Sequence, residues 1–224
     1  MVFRPGEEAG LIVLGDSESG KTSLLRSVAR QVITAFTPEQ AQLIILDHRM
    51  TMLREFDGPH LLGYSTTHER SMEVVGGLAE GLKKRLPGTD VTPEQLRDRS
   101  WWNGPEIYLI VDDYDLVATS RGNALKYLLD FLPQARGMGL HIYLARQAAG
   151  ASRAVAEPVV GRLKELNTPA VLLSIPKDEM PIWGLKSAKR RKGRGLMLHR
   201  RLGTVPVQVA RAESPLTQDR GTTP

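Results

Sequence analysis

An almost continuously apolar stretch, Gly10-Leu11-Ile12-Val13-Leu14, runs directly into Gly15-Asp16-Ser17-Glu18-Ser19-Gly20-Lys21-Thr22, and then into a segment with apolar residues at 24, 25, 28, 29, 32 and 33. A buried strand, a glycine loop and an amphipathic helix over Lys21 to Ala35 therefore follow one another without a break. Two glycines around four residues, then Lys and Thr, let the backbone curl until successive amide N–H groups point inward, and the helix adds its positive N-terminal end. Such a loop cradles phosphate. Lys21 reaches the β and γ phosphates of a bound nucleotide and Thr22 offers a hydroxyl to Mg²⁺, so ATP and Mg²⁺ are the expected ligands of residues Gly15 to Thr22.

The rest of the chain alternates in the same way. Leu43 to Leu46 reads as a second strand ending at Asp47, Ser65 to Leu86 as a helix stopped by Pro87-Gly88, and Thr92-Pro93-Glu94 as a helix start within a polar connection. Ile107 to Val111 is a third strand, Asn123 to Leu132 a helix and Leu140 to Ala145 a fourth strand. Ala154 to Leu166 reads as a helix with Pro158 at its start or at a kink; Ala170 to Ser174, Gly195 to Leu198 and Val205 to Ala210 are the last strands. Short apolar strands separated by helices predict a three-layer α/β domain, a mostly parallel sheet covered on both faces, with the last two strands added antiparallel. That domain is expected to span residues 1–212, with 213–224, rich in Ser, Thr, Pro and Gly, as a disordered tail.

Ile107-Tyr108-Leu109-Ile110-Val111-Asp112-Asp113 delivers two carboxylates at the C-terminal end of a strand, where open α/β sheets bind ligands. Asp112 is expected to join Thr22 around Mg²⁺, and Asp113 to polarise the attacking water. Aspartate is one methylene shorter than the glutamate usual in that role, and a misplacement of about 1 Å in a catalytic group costs on the order of 100-fold in rate. Slow or absent hydrolysis is therefore expected. Asp16 and Glu18 must turn away from a bound polyanion. Leu144-Ala145-Arg146-Gln147 ends the fourth strand, and Gln147 is expected to read the γ-phosphate or its water if that strand lies beside the loop.

Composition narrows the alternatives. At 224 residues, 41% hydrophobic and 25% charged, the chain suits one core. No apolar run approaches the roughly 20 residues of a spanning helix, Met1-Val2-Phe3-Arg4-Pro5 shows no apolar stretch followed by a small-residue cleavage site, and no cysteine offers zinc ribbons, disulfides or thiol catalysis. A cytosolic setting is expected. Histidines 48, 60, 68, 141 and 199 have no metal-ligand spacing. The formal charge of +5 is local: Lys186, Lys189, Arg190, Arg191, Lys192, Arg194, Arg200 and Arg201 lie in one stretch without an acid, and acidic residues outnumber basic ones elsewhere. That stretch suits solvent, a neighbouring module, anionic headgroups or nucleic acid. Trp101-Trp102 and Pro181-Ile182-Trp183-Gly184-Leu185 are either core or the walls of a groove for an apolar helix.

Across residues 9 to 210 the order of segments resembles the FtsK/SpoIIIE family of P-loop ATPases, whose fold is RecA-like (ASCE). Leu43 to Arg49 is similar to that family's Ile-Asp-Pro-Lys strand end, Pro59-His60-Leu61-Leu62 to its Pro-His-Leu element, Ala135 to Ile142 to the run before its sensor, and Gly193-Arg194-Gly195 to a glycine turn near its end. Ala145-Arg146-Gln147-Ala148 lacks the sensor's Thr and Pro, Asp113 replaces Glu, and Glu18 replaces a small residue. These departures are similar to the later modules of EccC-type proteins, the tandem ATPases of type VII (ESX) secretion systems, and most of all to the last module.

That resemblance implies a module at the cytoplasmic face of a membrane, attached through partners, that docks the C-terminal export signal of small helical secreted proteins. Ile182, Trp183 and Leu185 are then the expected wall of the peptide pocket. It also implies that an arginine from a neighbouring module or subunit completes the site; Ala170 to Ser174 holds none, leaving Arg162 and Arg153 as candidates. The beginning of the domain so close to Gly15 suggests a piece of a longer protein. The alternative is an active DNA-translocating motor, disfavoured by the local charge and the missing Glu; a metabolic kinase would need a lid and an acceptor site.

Overall fold

The computed structural model describes residues 8–150, 157–176 and 181–210. Its elements are β1 (Gly10–Gly15), α1 (Lys21–Ala35), β2 (Ala41–Asp47), β3 (Leu61–Ser65), α2 (His68–Lys83), α3 (Pro93–Asp98), β4 (Glu106–Asp112), α4 (Tyr114–Val117), β5 (Ala118–Thr119), β6 (Gly122–Asn123), β7 (Leu140–Gln147), α5 (Pro158–Glu165), β8 (Ala170–Leu172), β9 (Arg194–His199) and β10 (Gly203–Gln208). Eight strands form one sheet in the order β10-β9-β8-β1-β7-β4-β2-β3. From β8 to β3 the pairing is parallel, and β9 and β10 add antiparallel, as the strand pattern predicts.

Period-two alternation divides each apolar strand between two cores. Tyr108 and Ile110 face Leu25, Val28, Ala29 and Val32 of α1, whereas Leu109 and Val111 face Val75, Ala79 and Leu82 of α2 and Val159, Val160 and Leu163 of α5. Both faces are covered, which is why the strands carry almost no polar residue.

Two segments differ from the sequence reading, and a third takes one of the two places it allowed Pro158. Ser65 ends β3 rather than starting a helix: β3 is a half-exposed edge strand, so its apolar pattern is weak, and α2 begins after the Thr67 cap, whose hydroxyl accepts the Arg70 N–H. Asn123 to Leu132 is not one helix but two 3₁₀ turns, Ala124–Leu128 and Leu132–Gln134. Asn123 Oδ1 accepts the Leu125 N–H at 3.0 Å, and Pro133 has no amide proton for a continuing helix. Pro158 takes the first turn of α5, capped by Glu157, which accepts from the Val159 and Val160 amides. The expected tail 213–224 and the Ala154 helix start lie outside the described residues.

Trp101 and Trp102 are half-buried and held by hydrogen bonds and stacking. Their indole N–H groups donate to Arg85 O at 2.8 Å and Gly137 O at 2.9 Å, and the Arg85 guanidinium stacks 4.3 Å over Trp102. Trp101 fastens the connection after α3 to the end of α2, and Trp102 fastens it to the turn before β7.

Candidate phosphate site

The C-terminal ends of β1, β7 and β4 lie side by side, because β7 inserts between the other two. Gly15 pairs with Gln147, and Asp47 at the end of β2 pairs with Asp112 at the end of β4. The site is therefore built at one rim of the sheet, where chain direction reverses its order.

Residues 15–22 adopt the curled loop. A Cβ on Gly15 would sit 2.4 Å from Ser19 Oγ, and Gly20 holds φ 111, so both positions need glycine. No side chain caps the α1 N-terminus, and the Ser19 hydroxyl is buried with no hydrogen-bond partner. Lys21 is folded inward, donating to Gly15 O at 3.1 Å and Asp16 O at 2.9 Å. Burial holds its ammonium below the usual lysine range, partly offset by Asp113, Asp112, Asp16 and Asp115. An uncapped helix end, an orphaned hydroxyl and a lysine resting on carbonyls fit a phosphate chain.

Thr22 Oγ1 donates to Asp112 Oδ2 at 2.7 Å, bringing the two expected Mg²⁺ residues together across 90 positions of sequence. Thr51 Oγ1 donates to the same oxygen at 3.2 Å and to Asp47 Oδ1 at 3.4 Å. Burial pushes the Asp112 carboxyl above its ordinary range; Asp113 and Asp47 push it the same way, against the hydrogen bonds from Thr22 and Thr51. Such a carboxylate gains from a nearby cation. Among the described residues no group of three or more His, Asp or Glu could hold a metal ion.

Asp113 occupies the left-handed region at φ 46, ψ 58, a strained position for a side chain other than Gly, Asn or Asp. Its Oδ2 lies 2.7 Å from Arg49 Nε. Asp115 organises the next strand end: Oδ1 takes Arg146 Nη2 at 2.7 Å and Oδ2 the Gln147 N–H at 2.8 Å. Gln147 thus lines the loop's cavity, as expected, and Arg146 is tied beside it. That cavity, about 490 Å³, is also lined by Lys21, Thr22, Arg26, Arg49, Asp113 and Lys192.

The two acids of the loop behave differently from its donors. Asp16 Oδ1 accepts the Ser17 N–H at 2.8 Å, and Glu18 is exposed at the rim with φ 55. Ile182 cannot form the wall of an open groove: it is fully buried, paired with Leu185 in an isolated bridge and packed into the core that α2 and α5 share. Trp183 and Leu185 are half-buried against the same core. Arg162 pairs with Glu165 at 3.0 Å on α5, and Arg153 lies outside the described residues. Sequence reasoning missed Arg49, Thr51, Asp115 and Lys192 as site residues. Only Asp47, a second acid closing a strand, left a local signal.

Comparison with known proteins agrees with this fold. A model of the FtsK/SpoIIIE family matches residues 2–100. The chain is 43% identical over 204 residues to the ESX secretion system protein EccC of Thermomonospora curvata, covering 91% of this chain and 15% of that protein. It is 42% identical over 211 residues to the ESX-4 secretion system protein EccC4 of Mycobacterium tuberculosis, covering 94% and 17%. Among solved structures it is similar to the T. curvata EccC (ATPases 2 and 3) in complex with a signal sequence peptide, with a TM-score of 0.88 and 41% identity over 93% of this chain and 38% of that one. The chain therefore spans less than a fifth of the length of the two curated relatives.

Proposed function

Because the chain belongs to the FtsK/SpoIIIE family, as an ATPase domain of the EccC type, we propose that it is a late, nucleotide-holding module of a type VII (ESX) secretion ATPase. In this reading it binds Mg-ATP, hydrolyses it slowly or not at all, and docks the C-terminal export signal of secreted proteins. The observation that carries the reading is an intact phosphate cradle combined with an Asp113 carboxylate that Arg49 neutralises at 2.7 Å.

Mg²⁺ would supply charge neutralisation across the β and γ phosphates. Thr22 and Asp112 would hold that ion, Lys21, now on the loop carbonyls, would be free to turn to phosphate oxygens, and Gln147 would orient the water. Asp113 is short for the base position and already paired, so turnover is low. The module then contributes a rigid, ligand-stabilised surface to its neighbours in the secretion complex. For the peptide we propose the surface that Trp183 and Leu185 offer, supported from beneath by Ile182. That the T. curvata relative, ATPases 2 and 3 together, is solved in complex with a signal sequence peptide supports peptide docking by kinship.

The test is calorimetry of Mg-ATP with wild type and Lys21→Ala, phosphate release with and without duplex DNA, and titration of a synthetic export-signal peptide. Tight binding lost in Lys21→Ala, negligible turnover and peptide binding with little salt dependence are expected. Robust turnover stimulated by duplex, with steep salt dependence, would overturn the docking module in favour of a translocating motor.

A further inference from the structure

We propose that Lys192 is a phosphate-contacting residue of the nucleotide site, delivered by a basic segment that the fold fastens to the phosphate loop. The inference rests on the nucleotide reading above and adds to it a residue that no motif contains.

The segment is held from both sides. Gly193 N–H donates to Ser19 O at 2.8 Å, inside the loop itself, and Val209 N–H donates to Gly193 O at 2.7 Å. Upstream, Arg190 N–H donates to Ser174 Oγ at 3.2 Å, Arg190 Nη1 to Leu173 O at 3.2 Å, and Ile175 N–H to Ala188 O at 3.1 Å. Ser174 O in turn accepts the Asp16 N–H at 2.7 Å. Residues 188–193 are therefore tied to the loop at Asp16 through Ser174 and at Ser19 directly. The approach is close enough that a Cβ on Gly20 would meet Gly193 Cα at 3.2 Å.

This places Lys192 on the wall of the same cavity as Lys21 and Thr22. Of the four cations there, Lys21 rests on loop carbonyls, Arg49 holds Asp113 and Arg26 holds Glu55 at 2.8 Å. Lys192 is exposed and has no carboxylate partner among the described residues. A long, unpaired ammonium on a braced backbone beside a phosphate cradle is suited to a polyanion at little reorganisation cost. Part of the basic stretch thus serves the nucleotide rather than a nucleic acid or a membrane.

The experiment is calorimetric titration of Mg-ATP into the full chain as wild type, Lys192→Ala and Lys192→Arg, each at low and high salt, with hydrogen exchange of residues 186–194 followed alongside. Expected are an affinity loss of about tenfold in Lys192→Ala, most of it recovered in Lys192→Arg and reduced at high salt, and slowed exchange of the segment on binding. Wild-type affinity in Lys192→Ala, or a loss that Lys192→Arg fails to restore, overturns the inference while leaving the nucleotide reading standing. Absence of Mg-ATP binding by wild type overturns both.

Discussion

Arg49 Nε lies 2.7 Å from Asp113 Oδ2, so the carboxylate we propose as the water-polarising group is held by a cation from the neighbouring strand end. The pair sits in the cavity beside Lys21, with the Arg49 side chain 56% exposed and that of Asp113 13%. The arginine is mostly exposed, so removing it costs the fold little, and the Asp113 carboxylate is the half of the pair that faces the cavity with little solvent contact.

Releasing or lengthening that carboxylate should raise turnover. Arg49→Ala and Asp113→Glu are each expected to increase kcat for Mg-ATP by about 3- to 10-fold, a small part of what a well-placed general base contributes. Phosphate release measured at saturating nucleotide checks it. Unchanged or lower kcat in both variants would remove Asp113 from the water-polarising role.

Lys21→Ala should separate binding from folding. Loss of the ammonium is expected to weaken Mg-ATP by at least about 100-fold, because it removes the central charge of the cradle. In the free protein it removes two hydrogen bonds to loop carbonyls, worth about 1–2 kcal/mol together. A thermal midpoint lowered by more than about 10 °C would show that Lys21 is chiefly structural.

At the opposite rim, burial would raise the Glu106 carboxyl, but the hydrogen bond and charge of His141 and the charge of Arg99 hold it below the usual range. His141 Nε2 lies 2.8 Å from Glu106 Oε2, and its Nδ1 faces Glu8 O at 3.0 Å. A depressed carboxyl pKa contributes stability that is present above the unfolded value, about 4.3, and is lost as pH falls through the folded value. Glu106→Gln is expected to cost about 1–3 kcal/mol at pH 7 and to flatten the acid limb of stability between about pH 5 and 3. Urea denaturation across that range decides it; parallel curves for variant and wild type would refute the linkage.

Gly10→Ala tests the register between β1 and β7. The added Cβ would lie 2.0 Å from Ile142 O, a backbone atom that cannot rotate away. A loss of about 3 kcal/mol in urea denaturation is expected. Wild-type stability would mean that β1 can shift its register, which would also move Gly15 off Gln147.

Much of this protein is legible in contiguous residues. The phosphate loop, the α1 stripe, the apolar β4 ending in Asp112-Asp113 and the helix start at Thr92-Pro93-Glu94 all arise from spacing within a few positions, and the structure retains each of them. Asn123 to Leu132 departs from its helical pattern because a single side-chain acceptor, Asn123, and one proline just beyond it outweigh its apolar period.

By itself, then, the sequence determined a strand–loop–helix phosphate cradle, an alternating α/β chain and two acids at a strand end, since hydrophobic period and loop chemistry are local properties. Tertiary structure alone decided that β7 enters between β1 and β4, that Thr22 meets Asp112, that Arg49 holds Asp113 and that Gly193 leans on Ser19. It also turned Ile182 inward. These pairings join residues far apart in the chain, and they follow from strand order, which is set by burying both faces of one sheet together rather than by any neighbour in sequence.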